Sequence, residues 1–187
     1  MNGGDPQTTS AVQNSIRAPL SASTTSLVRL LRSESLRMVL AESCTSGRAA
    51  AALGAIPDIS EYFCGSVIAY RDQTKIDLLD VGAEGIEQWT STSEPVAMQM
   101  ACSVLFKTSE ADYAASITGH LGPMSAECHD GMVYIGLAWR TNDGVKPYQV
   151  TLKNLKAKNR LARRDEATAE LFEQLRRCIL ATRHPTE

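Results

Sequence analysis

The feature that most constrains this chain is a change of period within a few residues. Leu36-Arg37-Met38-Val39-Leu40-Ala41 is a short, largely apolar run with the length of a buried strand. It passes through the polar loop Glu42-Ser43-Cys44-Thr45-Ser46-Gly47 into the alanine-rich stretch Arg48 to Leu53, which has the character of a helix closed by Gly54 and Pro57. A strand delivered directly into a helix is the building unit of sheets covered by helices.

The pattern recurs. Phe63 to Tyr70 is rich in β-branched and aromatic residues and predicts a second strand, followed by a short helix over Gln73 to Leu79 capped by Asp72. Ser93 is placed to cap another helix, in which Val96, Met100 and Val104 recur every fourth residue and Pro95 falls in the tolerant first turn. Ala114 to Ile117 predicts a strand ending in Thr118-Gly119-His120-Leu121-Gly122-Pro123. Met132 to Trp139 and Pro147 to Leu152 predict a hairpin through Asn142-Asp143-Gly144, and Leu161, Thr168, Leu171, Phe172, Leu175 and Ile179 mark a long closing helix. The expected fold is α/β, a three-layer α/β/α sandwich with a mixed sheet.

The chain is 187 residues long, 43% apolar and 21% charged, ordinary values for one domain that buries roughly 70% of its unfolded surface. Residues 1–22 are rich in Ser, Thr, Gly, Gln and Asn and are expected to be a disordered tail, leaving a domain over 23–182 whose first helix carries Leu27, Leu30 and Leu31 and is capped by Ser23 or Thr24. With 19 Lys+Arg against 21 Asp+Glu, the net charge of −2 argues against a general nucleic-acid binder. No run approaches the roughly 20 apolar residues of a membrane span, and Met1 to Ser26 lacks the layout of a secretory signal. Cys44, Cys64, Cys102, Cys128 and Cys178 form no C-x-x-C pair, as expected of reduced thiols in a cytoplasmic protein. The adjacent pair Cys128–His129 has no matching second pair, so no structural metal is expected.

Three places can carry chemistry. The loop Glu42 to Gly47 lies between strand and helix, where hydroxyls and backbone N–H groups face the positive end of a helix dipole. Such a loop binds a phosphate or holds a nucleophilic serine beside an oxyanion site, although a plain polar helix cap has the same pattern. Thr118 to Pro123 is a second glycine-containing turn after a strand, and it satisfies neither the P-loop nor the dinucleotide spacing. Lys75 falls in the first turn of its helix, where a cation is disfavoured; burial there would poise it as a general base for a serine, whereas solvent exposure would leave it an ordinary surface lysine. Cys44 is a second possible nucleophile, more simply read as a small buried thiol. Arg160, Arg163 and Arg164 form a basic cluster at the start of the last helix, a solvated face or a clamp for an anion.

Taken together these segments resemble the C-terminal domain family of the competence/damage-inducible protein CinA, the nicotinamide-nucleotide amidases, over about Leu27 to Leu180. The family's A-E-S-C-T-G-G reads Ala41-Glu42-Ser43-Cys44-Thr45-Ser46-Gly47, and V-A-Y-S-N-x-x-K reads Ile68-Ala69-Tyr70-Arg71-Asp72-Gln73-Thr74-Lys75. V-S-E-x-V-A-x-x-M-A reads Thr92 to Ala101, I-T-G-x-A-G-P reads Ile117 to Pro123, and G-x-V-Y-I reads Gly131 to Ile135. The resemblance implies the same three-layer fold and hydrolysis of the carboxamide of nicotinamide mononucleotide to nicotinate mononucleotide and ammonia.

By motif position it implies Ser43 as nucleophile, Lys75 as base and Tyr70 as the group that orients or relays the proton, with Thr118 lining the site. Substrate contacts are expected from Cys44, Thr45, Ser46, Gly47, Thr118 and Gly119, with backbone N–H groups around Thr45, Ser46 and Gly47 at the phosphate and Arg160 or Arg164 assisting there. It implies no cofactor and no metal, a small nucleotide substrate as partner rather than nucleic acid or membrane, and a homodimer. The chain has no room for the molybdopterin-binding-like domain of longer members, so the resemblance is to the stand-alone amidases.

Three positions depart from the family pattern. Ser46 replaces the first glycine of the pair, Asp72 replaces the usual Asn, and Met124 to Asp130 is a shorter loop with no glycine of its own. These departures support a rival reading, a non-catalytic nucleotide-binding or protein-interaction module with a relict pocket. An amidase for another small carboxamide is a second rival.

Overall fold

The computed structural model describes residues 6–122 and 129–184, with side chains from Leu20 onward. Its sheet has five strands in the order β2-β1-β3-β4-β5: β1 (Met38–Glu42), β2 (Phe63–Ile68), β3 (Tyr113–Gly119), β4 (Met132–Thr141) and β5 (Gly144–Asn154). β1 runs parallel to both β2 and β3, while β4 and β5 are antiparallel additions, so the sheet is mixed. β1 is central to the parallel part and buried on both faces, which is why its sequence is a run and not an alternation.

The helices form two outer layers. On one face α1 (Pro6–Glu34), α2 (Arg48–Gly54) and α6 (Arg160–Arg183) cover Met38, Leu40, Ile117 and Ile135 with Leu27, Leu31, Leu53, Leu171, Phe172 and Leu175. On the other, α3 (Asp72–Leu79), α4 (Ala83–Trp89) and α5 (Glu94–Lys107) cover Val39, Ala41 and Ala114 with Leu79, Val96, Met100 and Val104. The α/β/α sandwich read from the sequence is the fold. The short α4 is an addition to it.

Four local expectations are corrected. The polar segment expected to be a disordered tail over 1–22 is helical from Pro6, and residues 1–5 lie outside the described part. Leu20 is buried and extends the Leu27–Leu31 stripe by one heptad, so the helix has a core to pack against before residue 23. Ser23 and Thr24 are therefore not caps: both hydroxyls donate to the carbonyl of Leu20, at 3.0 and 2.7 Å, satisfying themselves within the helix. Asp72 is the first residue of α3 and Arg71 stands at the cap position, while the Ser93 hydroxyl turns back to donate to Thr90 O at 2.9 Å instead of capping α5.

α5 lies unusually close to the sheet at Gly136 of β4. A Cβ there would stand 2.4 Å from Ala97 O and 2.8 Å from Ser116 Oγ, and that oxygen already donates to Ala97 O. Since α5 follows directly on the loop that reaches the site, this contact sets the loop's height above the sheet. Gly136→Ala is expected to lower stability by about 1–3 kcal/mol or more, because a backbone carbonyl cannot move aside as a side chain can. Chemical denaturation measures it, and an unchanged midpoint would show that α5 does not rest on Gly136.

Candidate active site

The carboxyl ends of the three parallel strands meet at one edge of the sheet, where ligands of open α/β folds bind. Ser43 follows β1, and its N–H donates to Ile117 O of β3 at 3.0 Å; Ala69 follows β2, and its N–H donates to Glu42 O at 2.8 Å. The first bond carries the ladder one residue past β1 and the second one residue past β2, which together fix the backbone from which Ser43 projects.

The loop after Ser43 is shaped by Glu42. Its carboxylate is fully buried and accepts from Ala49 N (3.0 Å), Ala50 N (2.9 Å) and Ser66 Oγ (3.0 Å). It thus caps the amino end of α2 from the preceding strand. The amides of Ala49 and Ala50 therefore serve a carboxylate from within the chain, and in the loop before them the Ser46 amide donates to Ser43 O at 3.1 Å. Ser46 and Gly47 both take the left-handed conformation, at φ +52° and +84°, and reverse the chain so that α2 can reach Glu42. Ser46 therefore adopts a backbone conformation that glycine favours, at some strain.

A cavity of about 250 Å³ opens beside this turn. Ser43 and Cys44 line it from the turn after β1, Tyr70 from the β2–α3 connection, Lys75 from α3, Gly119 and His120 from the end of β3, and Arg160 from α6. Thr45 is wholly buried, Ser46 is exposed, and neither they nor Gly47 are among its lining residues. Arg160 lines the cavity and Arg164, one turn further along α6, does not.

Lys75 decides the character of the site. Its side chain is buried, with 1% exposure, yet it carries an amine. The Nζ donates to Ser91 O at 2.8 Å and lies 3.5 Å from Thr118 Oγ1, and the Thr118 hydroxyl itself donates to Ser91 O at 3.0 Å. Burial lowers the pKa of Lys75, opposed by Asp72, whose Oδ1 is 3.8 Å away, and by Cys44. A neutral amine has two hydrogens and one lone pair. With the hydrogens directed to Ser91 O and Thr118 Oγ1, the lone pair is left for a proton donor in the cavity.

Cys44 is no competitor to Ser43, since burial pushes its thiol up to about 12 and keeps it protonated at physiological pH. Tyr70 lies past the end of β2, half exposed at the rim, where its hydroxyl accepts from Arg160 Nη2 at 2.8 Å. Arg160 Nη1 also donates to Gly122 O at 2.6 Å, so this guanidinium ties three segments together across the mouth. Arg163 is committed elsewhere, bidentate to Asp130 at 2.6 and 2.7 Å. Ser91, Thr92, His120, Leu121 and Gly122 also line the cavity and are not among the expected site residues. The Ser91 contribution is a backbone carbonyl, which no side-chain pattern reveals; the only hint was the hydroxyl-rich run Thr90-Ser91-Thr92-Ser93 ahead of α5. Cys128 and most of the loop from Met124 lie outside the described residues.

The model of the CinA C-terminal domain matches residues 20–179. The chain belongs to the CinA C-terminal domain family. It is 40% identical over 143 residues to a CinA-like protein of Trichodesmium erythraeum, covering 75% of this chain and 33% of that one. A CinA-like protein of Gloeothece citriformis is 39% identical over 152 residues, covering 80% and 36%. The chain thus spans about a third of the length of these curated relatives. Among solved structures it is similar to a competence-damaged protein (CinA) superfamily protein of Escherichia coli, with a TM-score of 0.72 at 28% identity over 83% of this chain and 87% of that one. The competence damage-inducible protein A of Klebsiella pneumoniae superposes with a TM-score of 0.76 at 25% identity, over 89% and 99%. Among the described residues, no helix is long and apolar enough to cross a membrane, and no group of three or more His, Cys, Asp or Glu could hold a metal ion.

The Glu42 cap generates a test of how the CinA-family turn is held. Glu42→Gln replaces an acceptor oxygen with an NH2 group that faces backbone donors, and is expected to lower stability by about 2 kcal/mol. Thermal or denaturant unfolding reads this. A variant as stable as the parent would mean that the α2 amides do not depend on the carboxylate.

Proposed function

We propose that the protein hydrolyses the carboxamide of nicotinamide mononucleotide, giving nicotinate mononucleotide and ammonia, by a serine–lysine mechanism. The observation that carries this reading is the buried amine of Lys75, held by Ser91 O and Thr118 in the cavity that Ser43 also lines. Neutral Lys75 takes the proton of Ser43 as Oγ attacks the carboxamide carbon. The carbon–nitrogen bond then breaks, Lys75 returns the proton to the departing nitrogen, and ammonia leaves. Water next attacks the acyl-serine with Lys75 again as base, releasing the carboxylate and restoring Ser43. Arg160 is the cation at the mouth suited to the substrate's phosphate, and its bond to Tyr70 sets where the phenol stands. Cytoplasmic residence and a homodimer belong to the same proposal.

Ammonia release from nicotinamide mononucleotide tests the reading directly. Ser43→Ala is expected to abolish turnover, and Lys75→Ala to reduce it about 10²–10⁴-fold, with the fold intact by circular dichroism. Turnover indifferent to Ser43→Ala would sink the mechanism. A folded protein that binds the mononucleotide and never releases ammonia would instead favour the non-catalytic module.

Asp72 supplies a pH test. Its carboxylate favours the charged form of Lys75, so Asp72→Asn lowers the lysine pKa further and enlarges the neutral fraction at any pH below that value. The rising alkaline limb of kcat/KM is expected to move to lower pH, with activity at pH 7 increased severalfold at most, because Asp72 is more than half exposed. A limb that stays in place would mean that Lys75 is not the titrating base.

A further inference from the structure

His120 is the polar side chain in the cavity that the mechanism above leaves without a task. Its backbone is clamped on both sides: its N–H donates to Met132 O at 2.8 Å, and its carbonyl accepts from Gly131 N at 3.0 Å. Its ring is clamped as well, with Nε2 2.8 Å from Thr92 Oγ1, on the same loop whose Ser91 carbonyl holds Lys75. The ring of His129 lies 5.7 Å away, centroid to centroid, tilted by 33°. An imidazole fixed in this way is a rigid wall beside the reacting groups.

We propose that His120 reads the charge of the substrate's ring, presenting an uncharged imidazole against which a cationic pyridinium lies. This rests on the amidase reading, since N-ribosylated nicotinamide carries a permanent positive charge on its ring. An aromatic face attracts such a cation, whereas an imidazolium repels it.

The surroundings keep the imidazole neutral. Lys75 from α3, Arg160 from α6 and neighbouring His129 are basic; Tyr70 and Cys44 complete the titratable lining, and no carboxylate is among the described lining residues. Asp72 faces Lys75, and Asp130 is engaged with Arg163. Burial and the neighbouring His129 hold the His120 pKa below its usual value, and Lys75 adds to this once it is itself protonated. As pH falls through that value the ring gains a proton and the site rejects the cation.

Calorimetric binding of nicotinamide mononucleotide and nicotinamide riboside to the Ser43→Ala protein, from pH 5 to 8, tests this. With His120 present, affinity for both ligands is expected to fall severalfold toward acid. In Ser43→Ala with His120→Phe, affinity at pH 8 is retained and the acid loss for the riboside shrinks to the part that protonation of Lys75 causes. For the mononucleotide the titration of its own phosphate near pH 6 adds to that part. His120→Gln, which keeps a partner for Thr92 but has neither ring nor titration, is expected to bind severalfold more weakly at pH 8, with the same reduced acid loss for the riboside as His120→Phe. The same acid loss in all three proteins would overturn the inference while leaving the amidase reading intact. No binding at any pH, together with no turnover by the parent protein, would overturn the amidase reading and this inference with it.

Discussion

Everything at the site is referred to the buried carboxylate of Glu42. A charge taken wholly out of water is tolerated only where its lone pairs are satisfied, and here two amides of α2 and the Ser66 hydroxyl of β2 do so. The consequence is geometric. The last residue of the central strand is bonded to the start of the next helix and to the neighbouring strand, and the turn between is forced through two left-handed residues. Ser43 is presented at the sheet's edge because both ends of its turn are fixed.

The same economy governs the other side of the cavity. Lys75 is buried with its hydrogens on a carbonyl and a hydroxyl, and the carboxylate paired with it, Asp72 at 3.8 Å, is more than half exposed to solvent. A close buried carboxylate would have made a stable ion pair and a poor base. Alternation along β3 sends Thr118 to the face of Ala114, the α5 side, where the Ser91 loop and Lys75 stand, and Ile117 to the opposite core. The site is thus assembled across layers that the sheet holds at a fixed separation.

Several elements were legible from local pattern. The β1 run, the alanine-rich α2, the hairpin and the stripe of α6 were each read from a period or a breaker, because burial imposes those periods on the residues themselves. The first half of α1 has no such local signal. A Ser- and Thr-rich stretch satisfies its hydroxyls inside a helix when one leucine, Leu20, finds a core, and composition cannot tell whether it will. The site showed the same division. Ser43, Lys75, Tyr70 and Arg160 were named from loop position and resemblance, while Ser91 O escaped because a backbone carbonyl is identical in every residue.

By itself, then, the sequence determined the class of fold, the family, and the side chains available at the strand ends, since these depend on periodicity and on residue identity. Tertiary structure alone decided which of them meet. It spent the α2 amides on Glu42 in place of an external anion, buried Lys75, raised the Cys44 thiol beyond use, and set His120 on the cavity wall. Each of those outcomes turns on solvent exclusion and on distances between segments far apart in the chain, and neither quantity is carried by any local stretch of residues.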